Sequence, residues 1–213
     1  MARPGVETRE ILDAAAALVD AHGFAAVRTD AIAARAGTAK GVLYLRFANK
    51  DALLTALVRR EIVRAARRTV ELADADPRGG LLSRVFVHAV TAMHENGVVL
   101  RAYRDEPEVL ARLAGSGHPE RFPRRTLLGV GFLRALQNAG MLVADADAEV
   151  LAGNLALWNT GLAASSPRAD LAALVNGMGA LLHRAVDVDS DDTTPGKQAL
   201  ARFVDALAAE LGT

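Results

Sequence analysis

Apolar residues recur at helical spacing along most of this chain, and that periodicity constrains its fold more than any other feature. Within residues 7–22, for example, Ile11, Ala15, Leu18 and Val19 fall on one face of a helix. Alanine and leucine, which lose little conformational freedom on entering a helix, dominate, whereas aromatic residues make up only 4%. The alternating runs of Val, Ile, Thr and Tyr that predict strands are missing. The sequence therefore predicts an all-α protein.

Two very short helices are predicted directly after the first one. Gly23 closes the first helix, and Thr29 is the predicted N-cap of the short helix in DAIAARA, which ends at Gly37. Thr38 restarts the pattern, and a second short helix runs over about 39–46. Two short helices joined by a tight, glycine-containing turn are typical of a helix-turn-helix.

Helices of two turns are unstable in isolation, so the pair needs packing partners on both sides. The predicted packing positions are small or apolar: Ala33, Ala36, Leu43 and Phe47. Asn49 is the predicted N-cap of a long connecting helix over about 50–74. Residues 1–50 are therefore predicted to form an N-terminal three-helix bundle with the helix-turn-helix, and residues 51–213 a helical C-terminal domain.

The remainder of the chain is predicted to be helical with short breaks. The segment 74–80, DADPRGG, is interpreted as a linker because it carries a proline and a glycine pair. The helical stretches that follow cover roughly 81–101, 105–114, 121–139, 147–165, 168–187 and 196–211. The acidic segment 187–196 is predicted to be a mobile loop.

Charge is distributed unevenly, although the net charge is zero. Residues 1–70 hold 12 Lys and Arg against 7 Asp and Glu, whereas residues 71–213 hold 13 against 18. Regions of opposite sign suggest different roles. The basic N-terminal part is suited to a polyanion, which the acidic remainder would repel.

Composition excludes several kinds of chemistry. The chain has no cysteine, which excludes disulfides, thiolate metal sites and cysteine nucleophiles. His88 and His94 lie on different helix faces, which argues against a metal pair. Without a signal sequence or an apolar run of about 18 residues, we expect a cytoplasmic protein with no membrane, metal or cofactor. The basic segment 59–68 is either an amphipathic membrane helix or, in the interpretation we prefer, the outer face of the connecting helix.

The stretch 37–47, GTAKGVLYLRF, is where DNA contacts are predicted, because the second helix of a helix-turn-helix lies in the major groove. Ala39 and Gly41 are small enough for the helix to approach base edges closely. Lys40 is expected to donate to guanine O6 and N7 or to a phosphate, and Val42 to contact a thymine methyl group. The alternative is that Lys40 is an ordinary solvated charge.

Phosphate contacts are predicted from residues around that stretch. Tyr44 packs its ring inward and gives its hydroxyl to a phosphate, unless it is simply half-buried. Thr29 and Thr38 can donate in the same way from the helix starts. Lys50 lies at a helix N-terminus, where free amide groups also attract phosphate, unless it too is a solvated surface charge. Such contacts fix the register of a protein on DNA rather than the sequence that it reads.

Residues 9–58 resemble the DNA-binding domain of the TetR family of bacterial transcriptional regulators. The matching pieces are REILDAAAALVDAHGF and TDAIAARAGTAKGVLYLRFANKDALL. Val42 stands where the family often has Thr or Ser, Arg46 where His is frequent, and Arg28 where Thr is common. Because both arginines are basic, the resemblance implies that phosphate binding survives, with Arg46 among the DNA contacts. The base preference does not transfer.

The resemblance also implies a homodimer with two N-terminal DNA-binding domains, which we call the heads. The two heads read half-sites of a palindromic operator about 34–36 Å apart. The candidates for its interface are the helices at 147–165 and 168–187, which carry small residues: Gly153, Gly161, Gly177 and Gly179. The alternative is that these glycines pack within one subunit. An effector bound to the second domain is expected to move the connecting helix and change the spacing of the heads.

An effector pocket is expected to be mostly apolar with a few aimed polar groups. The candidate lining residues come from the helices of the second domain: Phe86, Val90, Met93, His94, Tyr103, Phe132, Leu136, Asn154 and Trp158. His94 and Asn154 are the predicted polar anchors because they sit within otherwise apolar helices. The family expectation is an apolar or aromatic effector. Each of these residues has the alternative of being an ordinary core or surface residue.

The sequence thus predicts a ligand-responsive, dimeric DNA-binding regulator, by resemblance a repressor and not an enzyme. One alternative is a helical small-molecule carrier or enzyme that has lost DNA binding. Retention on duplex DNA that weakens steeply with salt separates that class from a regulator. A second alternative is a scaffold that acts through helix contacts alone, against which thermal stabilisation by small apolar ligands would count.

Overall fold

The computed structural model describes residues 8–105, 128–165 and 170–212, and this part of the chain is entirely helical apart from turns and one isolated antiparallel bridge. The all-α prediction is confirmed. The predicted helix at 105–114 and the first part of that at 121–139 lie outside the described residues. The ten helices of the described residues are α1 (Thr8–His22), α2 (Thr29–Arg35), α3 (Lys40–Arg46), α4 (Lys50–Ala75), α5 (Leu82–Glu95), α6 (Gly97–Asp105), α7 (Val130–Asn138), α8 (Ala148–Ser165), α9 (Leu171–Ala185) and α10 (Thr194–Leu211).

Backbone chemistry explains where the first helices end. Gly23 after α1 has φ +78° and Gly37 between α2 and α3 has φ +67°, a left-handed conformation that glycine adopts without strain. Asn49 caps α4, as predicted, because its side chain accepts a hydrogen bond from the Ala52 amide at 2.8 Å. The N-cap predicted at Thr29 is wrong by one residue, since Arg28 precedes α2 and no side chain caps that helix.

Two apolar cores lie along the chain. The first joins α1, α2, α3 and the beginning of α4, and it also takes in Val98 and Ala102 of α6. The second joins the rest of α4 to α5, to Val99 of α6 and to α7–α10. Ile62 and Tyr103 pack against both cores. The N-terminal core is therefore completed by a helix from much later in the sequence.

The single helix predicted at 81–101 is wrong, because the structure divides it into α5 and α6 at Asn96. That residue leaves the helical conformation, and its side-chain oxygen accepts a hydrogen bond from the Val99 amide at 3.1 Å. An Asn-Gly pair commonly starts a turn. The apolar periodicity continues across Asn96, so periodicity alone did not predict the break.

The segment 74–80, predicted to be a linker, completes α4 and then forms a turn that packs against the start of α10. Gly79 and Gly80 are buried, and a Cβ on Gly80 would overlap the carbonyl of Thr193 at the start of α10. The Thr193 hydroxyl in turn donates to the Pro77 carbonyl at 3.0 Å. Only glycine permits this approach of two backbones.

The acidic segment 187–196, predicted to be a mobile loop, is hydrogen bonded to its surroundings near both ends. The Val188 amide donates to the Met141 carbonyl at 3.2 Å, and Thr193 bonds to the α4–α5 turn. Among the described helices, none combines the length and the apolar character that crossing a bilayer requires.

Candidate DNA-binding interface and effector domain

The outer face of α3 is open to solvent. Leu43 is buried in the first core, and Val42 and Phe47 are half-buried beside it. The opposite face carries the exposed positions: Ala39, Lys40, Gly41, Tyr44, Leu45 and Arg46. Helical geometry produces this division, because residues four apart share a face and those two apart do not. The segment predicted to contact DNA is therefore reachable by a duplex.

Leu45 is the residue at this surface that sequence reasoning missed. Its side chain is 84% exposed, whereas Tyr44 beside it is 47% exposed. A leucine so exposed on a short helix has no partner within its own core to explain it. The sequence already indicated this exposure, because Leu45 lies two residues from Leu43 and so points away from the core. Leucine offers an apolar surface to a thymine methyl group.

Lys40 has a partner that the sequence did not reveal. Its ammonium nitrogen lies 2.7 Å from the Asp30 carboxylate at the start of α2, and both side chains are about half exposed. The hydrogen bond and charge of Lys40 lower the pKa of Asp30, and the same contact raises the pKa of Lys40. Ten residues separate the pair, which only the turn between α2 and α3 brings together.

The residues predicted to contact phosphate lie around this face. Thr29 is the first residue of α2 and Thr38 precedes α3, and both are half-buried. Lys50 is half-buried at the first position of the 26-residue α4, and Arg46 is exposed at the end of α3. A long helix directs its amide groups and dipole at an anion near its N-terminus.

A polar cluster around the buried Glu61 ties α1 to α4 and to the corner between α5 and α6. We call it the Glu61 junction, and it consists of Asp13, Arg60, Glu61, Arg64 and Asn96. Glu61 is 4% exposed, and its Oε1 accepts from Arg60 Nε at 2.8 Å and from Arg64 at 3.1 Å. Its Oε2 accepts from the Asn96 side chain at 2.9 Å. Arg60 also donates to Asp13 of α1 at 2.7 Å.

The Glu61 junction therefore connects three elements, since the Glu61 carboxylate joins α4 to the corner between α5 and α6 and Arg60 joins α4 to α1. A second contact reinforces it, because Arg101 of α6 donates to the Asp20 carbonyl of α1 at 3.0 Å. A Cβ on Gly97 would overlap the Asp20 carboxylate, so α6 begins in direct contact with α1. A shift of α6 must move α1 with it or break these contacts.

The residues predicted to line an effector pocket do not all come together. Phe86, Phe132 and Leu136 are fully buried in the second core, where Trp158 meets Phe86 edge-on with ring centroids 5.1 Å apart. Asn154 lies on the exposed face of α8 and points away from that core.

Other predicted residues lie at the margins of the second core. Tyr103 packs against both cores, and burial raises the pKa of its hydroxyl to about 12. Met93 is buried in the second core. Neither side chain borders the cleft between α5 and α9, whereas Val90 and His94 do.

A cleft of ≈ 360 Å³ lies between α5 and α9. Its lining mixes apolar and polar side chains: Val87, Val90, Thr91, His94, Glu95, Leu171, Ala172, Val175 and Asn176. Such a volume is within the range of small-molecule sites. Sequence reasoning missed seven of these nine residues, because periodicity identifies helix faces but not which two faces leave a gap.

The surfaces of α8 and α9 expose large apolar side chains. Val150 and Leu157 of α8 are 60% and 74% exposed, and Leu181 of α9 is 60% exposed. A Cβ on Gly153, Gly161 or Gly177 would meet no atom of the described residues within 4 Å apart from its own helix. Gly179 differs, because its Cβ would press on Val87. Packing within the subunit therefore accounts for Gly179 but not for the other three glycines.

Comparison with known proteins supports the N-terminal assignment. The model of the bacterial regulatory proteins of the tetR family matches residues 11–57. No curated protein sequence matches the chain significantly.

Several solved structures share the fold. The fatty acid degradation regulator FadR of Bacillus halodurans is 20% identical over 85% of this chain and 96% of its own, with a TM-score of 0.60. SmeT, the repressor of a multidrug efflux pump of Stenotrophomonas maltophilia, is 22% identical over 87% and 93%, with a TM-score of 0.59. The ketosteroid regulator KstR2 of Mycobacterium tuberculosis is 22% identical over 85% and 95%, with a TM-score of 0.53. At these identities the likeness establishes a common fold.

Proposed function

Because the chain belongs, through its N-terminal domain, to the tetR family of bacterial regulatory proteins, we propose that it is a ligand-responsive repressor that binds operator DNA. The observation that carries this proposal is the open outer face of α3, where a basic and a large apolar side chain stand beside small residues. No core of the subunit explains that arrangement, whereas a major groove does. The protein acts by binding and not by catalysis.

In this proposal α3 enters the major groove. Lys40, Val42 and Leu45 face base edges, and Gly41 lets the helix approach them closely. Tyr44, Arg46, Thr29, Thr38 and Lys50 hold the flanking phosphates. These phosphate contacts account for most of the affinity, and the base contacts select the sequence.

The proposed dimer is formed by the outer surfaces of α8 and α9. Val150, Leu157 and Leu181 supply apolar area, and the outward-facing glycines let a partner helix approach closely. A two-fold dimer presents its two heads to half-sites about one DNA turn apart. The operator is therefore expected to be palindromic.

The effector is proposed to bind in the cleft between α5 and α9. Proteins of this fold bind small molecules, since FadR of Bacillus subtilis has been solved with stearoyl-CoA and SmeT with triclosan. The α5–α6 corner follows directly from the cleft residue Glu95 and carries Asn96 of the Glu61 junction. A ligand that shifts α5 can therefore displace α1, and with it the head, through the Glu61 junction. Release requires tighter effector binding to the form that does not bind DNA.

Selection of bound duplexes from a random pool tests the DNA-binding proposal. We expect a two-fold symmetric consensus and an affinity that falls steeply as salt rises. Arg46→Ala is expected to weaken binding to the selected duplex. Arg202→Ala, which changes an exposed arginine of α10, is the matched control and is expected to have no effect. A protein that no duplex retains even at low salt would instead be a carrier or enzyme that has lost DNA binding.

A further inference from the structure

The α5 wall of the cleft presents hydrogen-bond acceptors. The Thr91 hydroxyl donates to the Val87 carbonyl at 2.9 Å, one helical turn earlier. A hydroxyl has only one proton, so the lone pairs of the Thr91 oxygen are what remains for a ligand. This back-bonding to a helix carbonyl is a common arrangement for threonine.

His94 is arranged in the same way. Its Nδ1 lies 2.9 Å from the Val90 carbonyl. A carbonyl can only accept, so Nδ1 must carry the proton and donate. In the neutral imidazole the other ring nitrogen, Nε2, is then an acceptor. Thr91 and His94 therefore each donate their proton to a carbonyl of their own helix.

Glu95 adds negative charge at the same wall. Its Oε2 accepts from Arg68 at 3.0 Å, and Arg68 also pairs with Glu71 at 3.2 Å. Two carboxylates share one guanidinium, so this side of the cleft keeps an excess negative charge. A ligand carboxylate placed here would meet the like charge of Glu95.

The opposite wall is mostly apolar and comes from the first turn of α9. Leu171, Ala172 and Val175 line it. On this wall, the N-terminus of α9 is a feature that favours an anion. Asp170 opposes that effect, because its carboxylate caps α9 by accepting from the Ala172 amide at 2.9 Å. Asn176, whose amide both donates and accepts, is the remaining polar residue of this wall.

We propose that the cleft binds an amphiphile with an apolar body and a hydrogen-bond-donating head, either a hydroxyl or an ammonium group. The apolar body packs against Val175 and Leu171, and the head donates to Thr91 Oγ1 and His94 Nε2. Glu95 favours a head that also carries positive charge. The inference rests on the proposed function, since it specifies the chemistry of the effector site.

Three probes that share the same alkyl tail and differ only in the head group test the proposal: octanol, octylamine and octanoate. Their affinities for the full-length protein are measured by calorimetry without DNA, so the result does not depend on duplex binding. We expect octanol and octylamine to bind more tightly than octanoate. Thr91→Val, which removes the acceptor at nearly constant volume, is expected to weaken octanol binding about tenfold. Thr91→Ser restores the hydroxyl and is expected to restore binding.

Thr69→Val is the matched control, because the Thr69 hydroxyl donates to the Ala65 carbonyl at 2.9 Å in the same way but is buried away from the cleft. It is expected to leave octanol affinity unchanged. Tighter binding of octanoate would overturn the proposed head group while leaving the effector site in place. Failure of all three probes to bind would overturn the cleft as a ligand site, and the duplex selection would still decide the DNA-binding proposal separately.

Discussion

Two ion-paired clusters of this molecule use the same chemistry in opposite surroundings. The Asp30–Lys40 pair on the head leaves its side chains 58% and 49% exposed. In the Glu61 junction, the side chains of Arg60 and Glu61 are only 13% and 5% exposed. Water and salt screen the first pair, whereas the second is largely protected from both. The head pair can therefore exchange partners, and the junction cannot do so without leaving a buried charge unpaired.

This difference matches the two tasks of a regulator. A DNA-reading surface gains from a cation that is held in place but is free to move to a phosphate or base. The contacts that connect the effector site to the DNA-binding helices must instead stay intact, so that a displacement of one element moves the next. Burial decides which of the two tasks an otherwise similar pair can perform.

Removing the carboxylate of the junction is expected to have the largest effect. Glu61→Ala leaves Arg60 without its buried partner and Asn96 without its acceptor. We expect a loss of about 3–5 kcal/mol in the free energy of unfolding, the range found when one partner of a buried pair is removed. Urea unfolding at fixed protein concentration measures this loss.

Glu71→Ala is the control for that variant. Glu71 is also on α4 and pairs with Arg68, but it is exposed. Its removal is expected to leave the unfolding midpoint within experimental error. A Glu61→Ala variant as stable as Glu71→Ala would show that the junction does not hold α1, α4 and α6 together.

The sequence revealed most of the fold because it depends on local rules. Asn49 as a cap and the buried position of Leu43 follow from residue type and spacing. The break at Asn96 was missed because the apolar period continues through it. The Asp30–Lys40 pair was missed because it forms across a turn whose geometry spacing does not specify. The cleft was missed for a related reason, since the packing of α5 on α9 depends on side-chain fit between distant segments.

Substitutions on the DNA-binding surface are expected to have an effect of intermediate size, on the affinity for DNA. Lys40→Ala is expected to weaken binding to the selected duplex about tenfold and to relax the preference at one base pair. Lys50→Ala is expected to weaken binding to all duplexes similarly and to reduce the salt slope by about one phosphate contact. Titrations of matched and mismatched duplexes at several salt concentrations distinguish the two.

A change of sequence preference in Lys50→Ala with unchanged overall affinity would contradict the phosphate role of Lys50. Equal weakening of all duplexes by Lys40→Ala would move Lys40 from the bases to the backbone. Either result would change the assignment of these residues on the head without affecting the junction.

The smallest expected effect is on the titration of Asp30. Its pKa is lowered by the Lys40 hydrogen bond, so the pair stabilises the fold above the unfolded carboxyl pKa of about 3.9 and loses that contribution as pH falls through the lower folded value. Because both groups are exposed, the effect on unfolding is small, and the Asp30 carboxyl chemical shift in NMR is the better measurement.

Lys40→Ala is expected to return the pKa of Asp30 toward its ordinary value. Binding of the operator is expected to raise the pKa of Asp30 in the wild-type protein, because Lys40 moves to the DNA and phosphates bring negative charge nearby. The direction decides between two models of the head. An Asp30 pKa that the operator leaves low would mean that Lys40 keeps its protein partner in the complex and acts by positioning α2 against α3. The exposed pair would then be a structural contact, like the buried one.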